Sequence, residues 1–165
     1  MPQGFQGITN NGADELLTGS RFYFEADGKV QQRAILEITG LSVECPPANS
    51  NAVLGSMVGG QSMRQATPTR QKFNVLSLKL VLKTNDIELF DWYTECNNES
   101  ASQKWQDGRT DVTITVYNQN GDDAGVWKAL NAYPVKYSGP EFKSGDETMA
   151  NESIDIVYED IEKAE

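Results

Sequence analysis

The longest extended run in this chain has a proline in its middle. Val126 to Phe142 reads VWKALNAYPVKYSGPEF, rich in the aromatic and branched side chains that suit a pleated, half-buried surface. Proline donates no backbone hydrogen bond, so a strand holding Pro134 is kinked there or lies on a sheet edge. Ser138, Gly139 and Pro140 then turn the chain toward a second alternating run, Glu152 to Ile161. Neither run holds a catalytic group in a familiar setting. Edge, aromatic surface and turn are materials of assembly.

The remaining sequence repeats this strand-and-turn pattern. Ser20 to Ala26 (SRFYFEA) reads as a strand ended by the hairpin dipeptide Asp27-Gly28. Val30 to Val43 reads as its partner, with Ala34, Leu36 and Ile38 on one face and Gly40 bending it or placing a bulge. Pro46-Pro47 stops that strand. Ala48 to Arg70 then reads as a long loop, with Val53, Leu54, Met57, Val58 and Met63 scattered among Gly, Ser, Asn and Gln. Loops beyond ~12–15 residues are usually functional or disordered, and apolar side chains exposed on one need a partner to cover them.

Phe73 to Lys83 is the most apolar strand, expected at the centre, with Leu76, Leu78, Leu80 and Leu82 sharing a face. Asn85 with Glu88 three residues on predicts a capped helix start. Leu89, Trp92, Tyr93 and Cys96 form its buried stripe, and Asn97-Asn98 ends it. Asp111 to Asn118 alternates with Val112, Ile114 and Val116 inward; Asn120-Gly121 predicts a tight hairpin, and Gly125 to Val135 returns beside it. The last strand, Ser153 to Asp160, places Ile154, Ile156 and Tyr158 on one face. Met1 to Gly19 reads as an N-terminal arm, and residues 20–165 as one domain of ordinary size. Strands, turns and one helix predict an antiparallel β-barrel or sandwich.

Composition narrows the function classes. A net charge of −10 opposes binding to a phosphate backbone. The chain has no histidine, which removes the commonest general acid/base and metal ligand. Cys45 and Cys96 are too few for a zinc site or a disulfide scaffold, and each is read as a buried free thiol. No apolar run approaches the ~20 residues needed to span a bilayer. The first residues lack the basic and apolar regions of a secretory leader, so the chain is expected to stay soluble in the cytoplasm unless other machinery exports it.

The motifs that suggest chemistry are incomplete. Gly55 to Ser62 has the glycine spacing of a phosphate-binding loop, but Gln61 stands where the lysine belongs. Asn118, Asn120, Asp122 and Asp123 resemble part of a calcium loop without its closing glutamate, and a hairpin turn accounts for the same residues. Asp146/Glu147 and Glu159/Asp160 are neighbours that a strand would point to opposite faces. Trp92 and Trp127 read as core or contact residues; Trp105 is left open. No cofactor or metal is expected.

The run Val126-Trp-Lys-Ala-Leu-Asn131-Ala132-Tyr133-Pro134-Val-Lys-Tyr137-Ser-Gly-Pro140 resembles the W-x-x-x-N-A-W-P-x-K-W-x-G-P signature of phage tail tube proteins, which include the inner tubes of contractile injection systems. Phe22 to Asp27, Ile35 to Glu44, Phe73 to Lys83 with the following helix, and Glu152 to Glu159 resemble other segments of that family in order. Tyr133 and Tyr137 replace the usual tryptophans, Lys83-Thr84-Asn85 stands where K-R-G is frequent, and the closing histidine is missing. The resemblance implies a two-sheet antiparallel β-barrel or sandwich of tail-tube type with one helix, forming hexameric rings that stack into a hollow inner tube inside a sheath. It implies a non-enzymatic structural role; the alternative is a tube-fold adaptor ring at the baseplate or spike. Implied partners are further copies of the chain, sheath, baseplate, spike and terminator proteins, with protein cargo, or nucleic acid in a phage, only passing through. The particle would assemble in the cytoplasm. Val53, Leu54, Met57, Val58, Met63, Arg64, Arg70, Tyr133, Pro134 and Tyr137 are the expected subunit contacts, the 48–70 loop lying between rings.

Overall fold

The computed structural model describes residues 17–48, 54–56, 59, 62–63, 67–99, 105–145 and 147–164. The strands are, in chain order, β1 (Phe22–Ala26), β2 (Ile35–Thr39), β3 (Val43–Glu44), β4 (Pro47–Ala48), β5 (Leu54–Ser56), β6 (Ser62–Met63), β7 (Thr67–Pro68), β8 (Lys72–Phe73) and β9 (Leu76–Val81). The helix α1 (Glu88–Cys96) and a 3-10 turn at Trp105–Gly108 come next. The chain finishes with β10 (Thr110–Tyr117), β11 (Asp123–Ser138), β12 (Asn151–Val157) and β13 (Asp160–Ala164).

Seven of these strands form one antiparallel sheet: six follow the path β1-β10-β11-β12-β9-β2, and β13 pairs with β11 off that path. The long β11 belongs to two walls at once. Its first half pairs with β10 and β13, and its second half, from Tyr133 on, pairs with β12. Asn131 sits between the halves with φ +51, a left-handed conformation that asparagine tolerates better than most residues. Its N–H donates to Asp111 Oδ1 at 3.1 Å and its Nδ2 to Glu159 Oε2 at 2.8 Å, so the corner is pinned from β10 and from the link between β12 and β13. The register then slips between Pro134 and Lys136. Of the kink or sheet-edge setting expected at Pro134, the structure shows this register slip and pairing with β12 alone.

The core lies between the two walls. Leu76, Leu78 and Leu80 of β9 are fully buried against Ile154 and Ile156 of β12, Phe24 of β1 and Val112 of β10. The two-residue alternation legible in the sequence holds through these strands because each has one face inward. The helix covers one end, burying Leu89, Trp92 and Cys96. Trp92 Nε1 donates to Gly108 O at 2.7 Å. The helix starts later than its sequence suggests. Asn85 has φ +57 in the preceding turn, no side chain caps Ile87, and Asp86 Oδ1 accepts the Glu88 N–H at 3.3 Å.

Two expectations fail in the first third of the chain. The Asp27-Gly28 turn is present, but Val30 only bridges Ala26; β1 pairs with β10, and the expected partner strand pairs with β9 instead. Non-local pairing outweighs the local hairpin signal. A bulge between Ile35 and Glu37 also reverses the face of β2, so Ile35 and Ile38 pack on the core and Leu36 is half exposed. Asp160–Ala164 is a further strand that the sequence pattern does not separate from β12. Among the described residues no barrel closure is seen: β1 and β2 are unpaired with each other, and an apolar cleft of about 370 Å³ opens between β2 and the β1 end of the first wall.

Candidate assembly surface

The segment expected as a long loop is, among its described residues, a paired ribbon. Val43 faces Phe73, Pro47 faces Pro68, Ala48 faces Thr67 and Leu54 faces Met63, so β3 to β8 form successive antiparallel rungs. Its root is held tightly. Gly40 has φ +88, and a Cβ there would lie 1.9 Å from the Val75 carbonyl oxygen. Phe73 meets Tyr158 edge-on at 5.6 Å, and the Tyr158 hydroxyl donates to Ser42 O at 3.3 Å. The N–H of Thr69 donates to Pro46 O at 3.2 Å. The next pair, Pro47 and Pro68, therefore turns both ring nitrogens outward, where proline removes no rung and denies a stray strand its donor. The Gly55–Ser62 segment runs from strand to strand, not from strand to helix, so it lacks a phosphate-loop setting.

The expected contact residues divide into two groups. Arg70 is exposed near the root of the ribbon. Leu54 and Met63 form its outer rung by backbone pairing, while Val53, Met57, Val58 and Arg64 lie outside the described residues. Pro134, in contrast, is buried within the chain, and Tyr133 and Tyr137 are half-buried. Trp105 meets Tyr133 at 5.5 Å in a tilted contact, Arg109 lies 4.8 Å over the Trp105 ring, and Phe90 meets Tyr137 at 5.4 Å. Asn97 Nδ2 donates to Pro134 O at 2.7 Å. The helix thus occupies the edge that this half of β11 would otherwise present.

Within the seven-stranded sheet, three strand edges stay open among the described residues: β1, apart from the Val30 bridge at Ala26, β13 and β2 each pair with one strand only. β1 and β13 are the two ends of one wall. Its outer face carries Glu25, Thr113, Lys128 and Glu162 in a single cross-strand row, and Lys128 pairs with Asp111 at 3.2 Å. Exposed apolar side chains elsewhere include Ile87, Phe90, Phe142 and Met149.

A buried ionic cluster was not legible in the sequence. Arg33, 6% exposed, forms ion pairs with Asp86 and Glu152, the latter 3% exposed. The Tyr137 hydroxyl donates to Glu152 Oε2 at 2.9 Å. Burial, then the bond to Glu152, pushes the Tyr137 hydroxyl up to about 12. The cluster ties the entry to β2, the entry to α1, and strands β11 and β12. A polar residue at a strand's inward position, Glu152 before Ile154 and Ile156, is the one sequence sign of it. Of the two thiols expected to be buried, Cys96 is, and it is pushed up to about 11, chiefly by burial and then by Glu95, whereas Cys45 is exposed. No cluster of three metal-ligating side chains occurs among the described residues, and no helix there is long and apolar enough to cross a membrane.

Two helix-capped walls sharing one strand, with bare edges at both ends of one wall and a projecting ribbon, define a β-rich structural subunit. Residues 18–162 match the family described as T4-like virus tail tube protein gp19, and the chain belongs to that family. It is a tail tube protein of a contractile injection system or phage-type tail. The fold is similar to a subunit of the sheath-tube complex of an extracellular contractile injection system, PVC (TM-score 0.71, 19% identity, 94% of this chain and 97% of that one). It is similar to the PVC sheath/tube terminator (TM-score 0.71, 17% identity, 92% and 99%) and to Hcp1 from Flavobacterium johnsoniae (TM-score 0.55, 17% identity, 87% and 94%). No curated protein matches the chain.

Proposed function

We propose that this chain forms hexameric rings that stack into the hollow inner tube of a phage-tail-like particle, with sheath and baseplate proteins as partners. The observation that carries this reading is the wall β1-β10-β11-β13, which ends in an open strand edge on each side. Two different edges of one sheet make a heterologous contact, and such a contact closes into a ring when its rotation allows. The polar outer face of that wall, with its threonine and mixed charges, would then line the bore, and the ribbon would reach the next ring. Membership of a tube family argues against an enzymatic role.

Negative-stain electron microscopy tests it: long tubes from purified protein support the reading, and monomers at high concentration defeat it. Ala48 and Thr67 face each other, so an Asn-Gly turn can replace residues 49–66 and close the ribbon early. Rings without stacks are expected from that variant; tubes of normal length would remove the ribbon from ring stacking. The same fold in a sheath/tube terminator supplies a second reading, an adaptor ring at one end of the tube. Single closed rings that lengthen only onto baseplate or spike proteins would favour it.

A further inference from the structure

The hairpin joining β10 to β11 ends in a tip that neither wall covers, with Gln119 to Ala124 all exposed. Asn118 organises the turn. Its N–H donates to Asp122 O at 3.0 Å, its O accepts the Gly121 N–H at 3.2 Å, and its Oδ1 accepts the Asp122 N–H at 2.9 Å. Arg21, just ahead of β1, clamps the same turn from outside, its Nη1 donating to Gln119 O at 2.8 Å and to Asn118 O at 3.2 Å. The Asn120 side chain takes no part: it is exposed and has no hydrogen-bond partner among the described residues. Gly121 follows it with φ +92, and a Cβ there would meet nothing within 4 Å. No side chain therefore shields the Gly121 nitrogen from the Asn120 amide. The bond that holds this nitrogen, at 3.2 Å, is at the long end for N–H···O. Asp107-Gly108 is locked by contrast: Gly108 is buried, its O accepts from Trp92 Nε1 at 2.7 Å, and the Cys96 sulfur fills the space beside its Cα.

We propose that Asn120 is a site of spontaneous deamidation and that the Arg21 clamp sets its rate. Hydroxide takes the proton from the Gly121 nitrogen, whose electron pair attacks Asn120 Cγ. The Cγ–Nδ2 bond breaks, Nδ2 leaves as ammonia after taking a proton from water, and a five-membered succinimide remains. Water opens that ring at one carbonyl or the other, giving aspartate or isoaspartate. Asparagine and water become an acid and ammonia, so water is the one co-reactant. The attack requires the Gly121 nitrogen to be released from Asn118 O, so the reaction runs from a locally opened tip. Isoaspartate carries the main chain through Cβ and lengthens it by one carbon, so the bonds that Asn118 makes to residues 121 and 122 cannot all be remade. The new carboxylate joins Asp122 and Asp123 at the same tip. The inference does not depend on the tube reading, because it concerns one chain.

The test holds full-length protein and a synthetic peptide of residues 116–125 side by side at mildly alkaline pH. Residue 120 is followed by peptide mass mapping and by enzymatic transfer of a labelled methyl group to isoaspartyl carboxyls. Asn120 is expected to convert before every other described asparagine, and more slowly than in the peptide, because the tip must open first. Conversion is expected to be several-fold faster in Arg21→Gln than in the parent, with thermal melting recorded to show that the variant is folded. Where Arg21→Gln fails to fold, Arg21→Lys, which keeps the charge and loses the fork, takes its place. Asn120→Gln is expected to remove methyl acceptance from this segment. An Asn120 still intact when the peptide has fully converted overturns the proposal. So does a rate that is the same in the parent and in the folded Arg21 variant.

Discussion

Replacing Arg33 with methionine is expected to destabilise the fold by about 3–5 kcal/mol, the range for breaking a buried ion pair from one side. Arg33 is 6% exposed and stands between Asp86 and Glu152, the latter 3% exposed and also bonded by Tyr137. Methionine fills much of the volume but leaves two carboxylates facing each other without a cation. Even at an effective dielectric near 20, one opposed pair at ~4 Å is worth ~4 kcal/mol before desolvation is counted. For a chain of this size ~1 kcal/mol moves the melting temperature by ~2–4 °C, so scanning calorimetry is expected to show a fall of about 6–20 °C. The double variant Arg33→Met/Glu152→Leu is expected to be more stable than Arg33→Met alone, since it buries one fewer unpaired charge. A single variant within ~1 kcal/mol of the parent, or a double variant whose loss equals the sum of the two singles, would refute the reasoning.

Four further outcomes follow from the geometry. Asn131→Ala forces a Cβ residue without a local hydrogen bond to hold φ +51 and loses the bond to Glu159, so about 1–2 kcal/mol is expected in urea unfolding, with Asn131→Gly closer to the parent. Gly40→Ala places a methyl 1.9 Å from a backbone oxygen at φ +88, and adding conformational strain to overpacking gives about 2–5 kcal/mol. In unassembled protein a thiol reagent is expected to titrate one cysteine, Cys45, at once and Cys96 only after denaturant, because Cys96 is buried and its thiol is raised to about 11. Tyr137 is raised from 10.0 to about 12 and Tyr158 is raised too. A folded value above the unfolded one means stability present below pH 10 and lost on the way to 12, so alkaline melting is expected to be shallower in Tyr137→Phe than in the parent.

The parts of the fold that were legible share a physical reason: a strand with one inward face writes its burial into every second residue. Leu76, Leu78 and Leu80, Val112 and Ile114, and Ile154 with Ile156 all read correctly on that basis, and Leu89, Trp92 and Cys96 did so at helical spacing. What failed was pairing. Asp27-Gly28 is a genuine turn, yet β1 finds its partner some ninety positions away, at Phe22 with Val116, and no local rule encodes that choice. One bulge at β2 was enough to exchange Leu36 for Ile35 on the core side. The ribbon was hidden because its paired stretches are only two or three residues long and the sequence between them is rich in glycine, serine and asparagine, residues that mark loops when taken singly. The Arg33 cluster joins residues from four distant places, so it has no spacing to detect. Pro134 was read as a kink or a sheet-edge residue, and a register slip follows it on a stretch paired with β12 alone; its burial under the helix was invisible because that contact comes from Asn97.

The corner at Asn131 has a mechanical meaning. One uninterrupted backbone runs through both leaves of the molecule, so they cannot be peeled from one another by undoing hydrogen bonds along a seam. A pull on either leaf passes into its companion through covalent bonds at that bend. The asparagine, and the proline just beyond it, mark the place where that covalent continuity crosses from one leaf to the other.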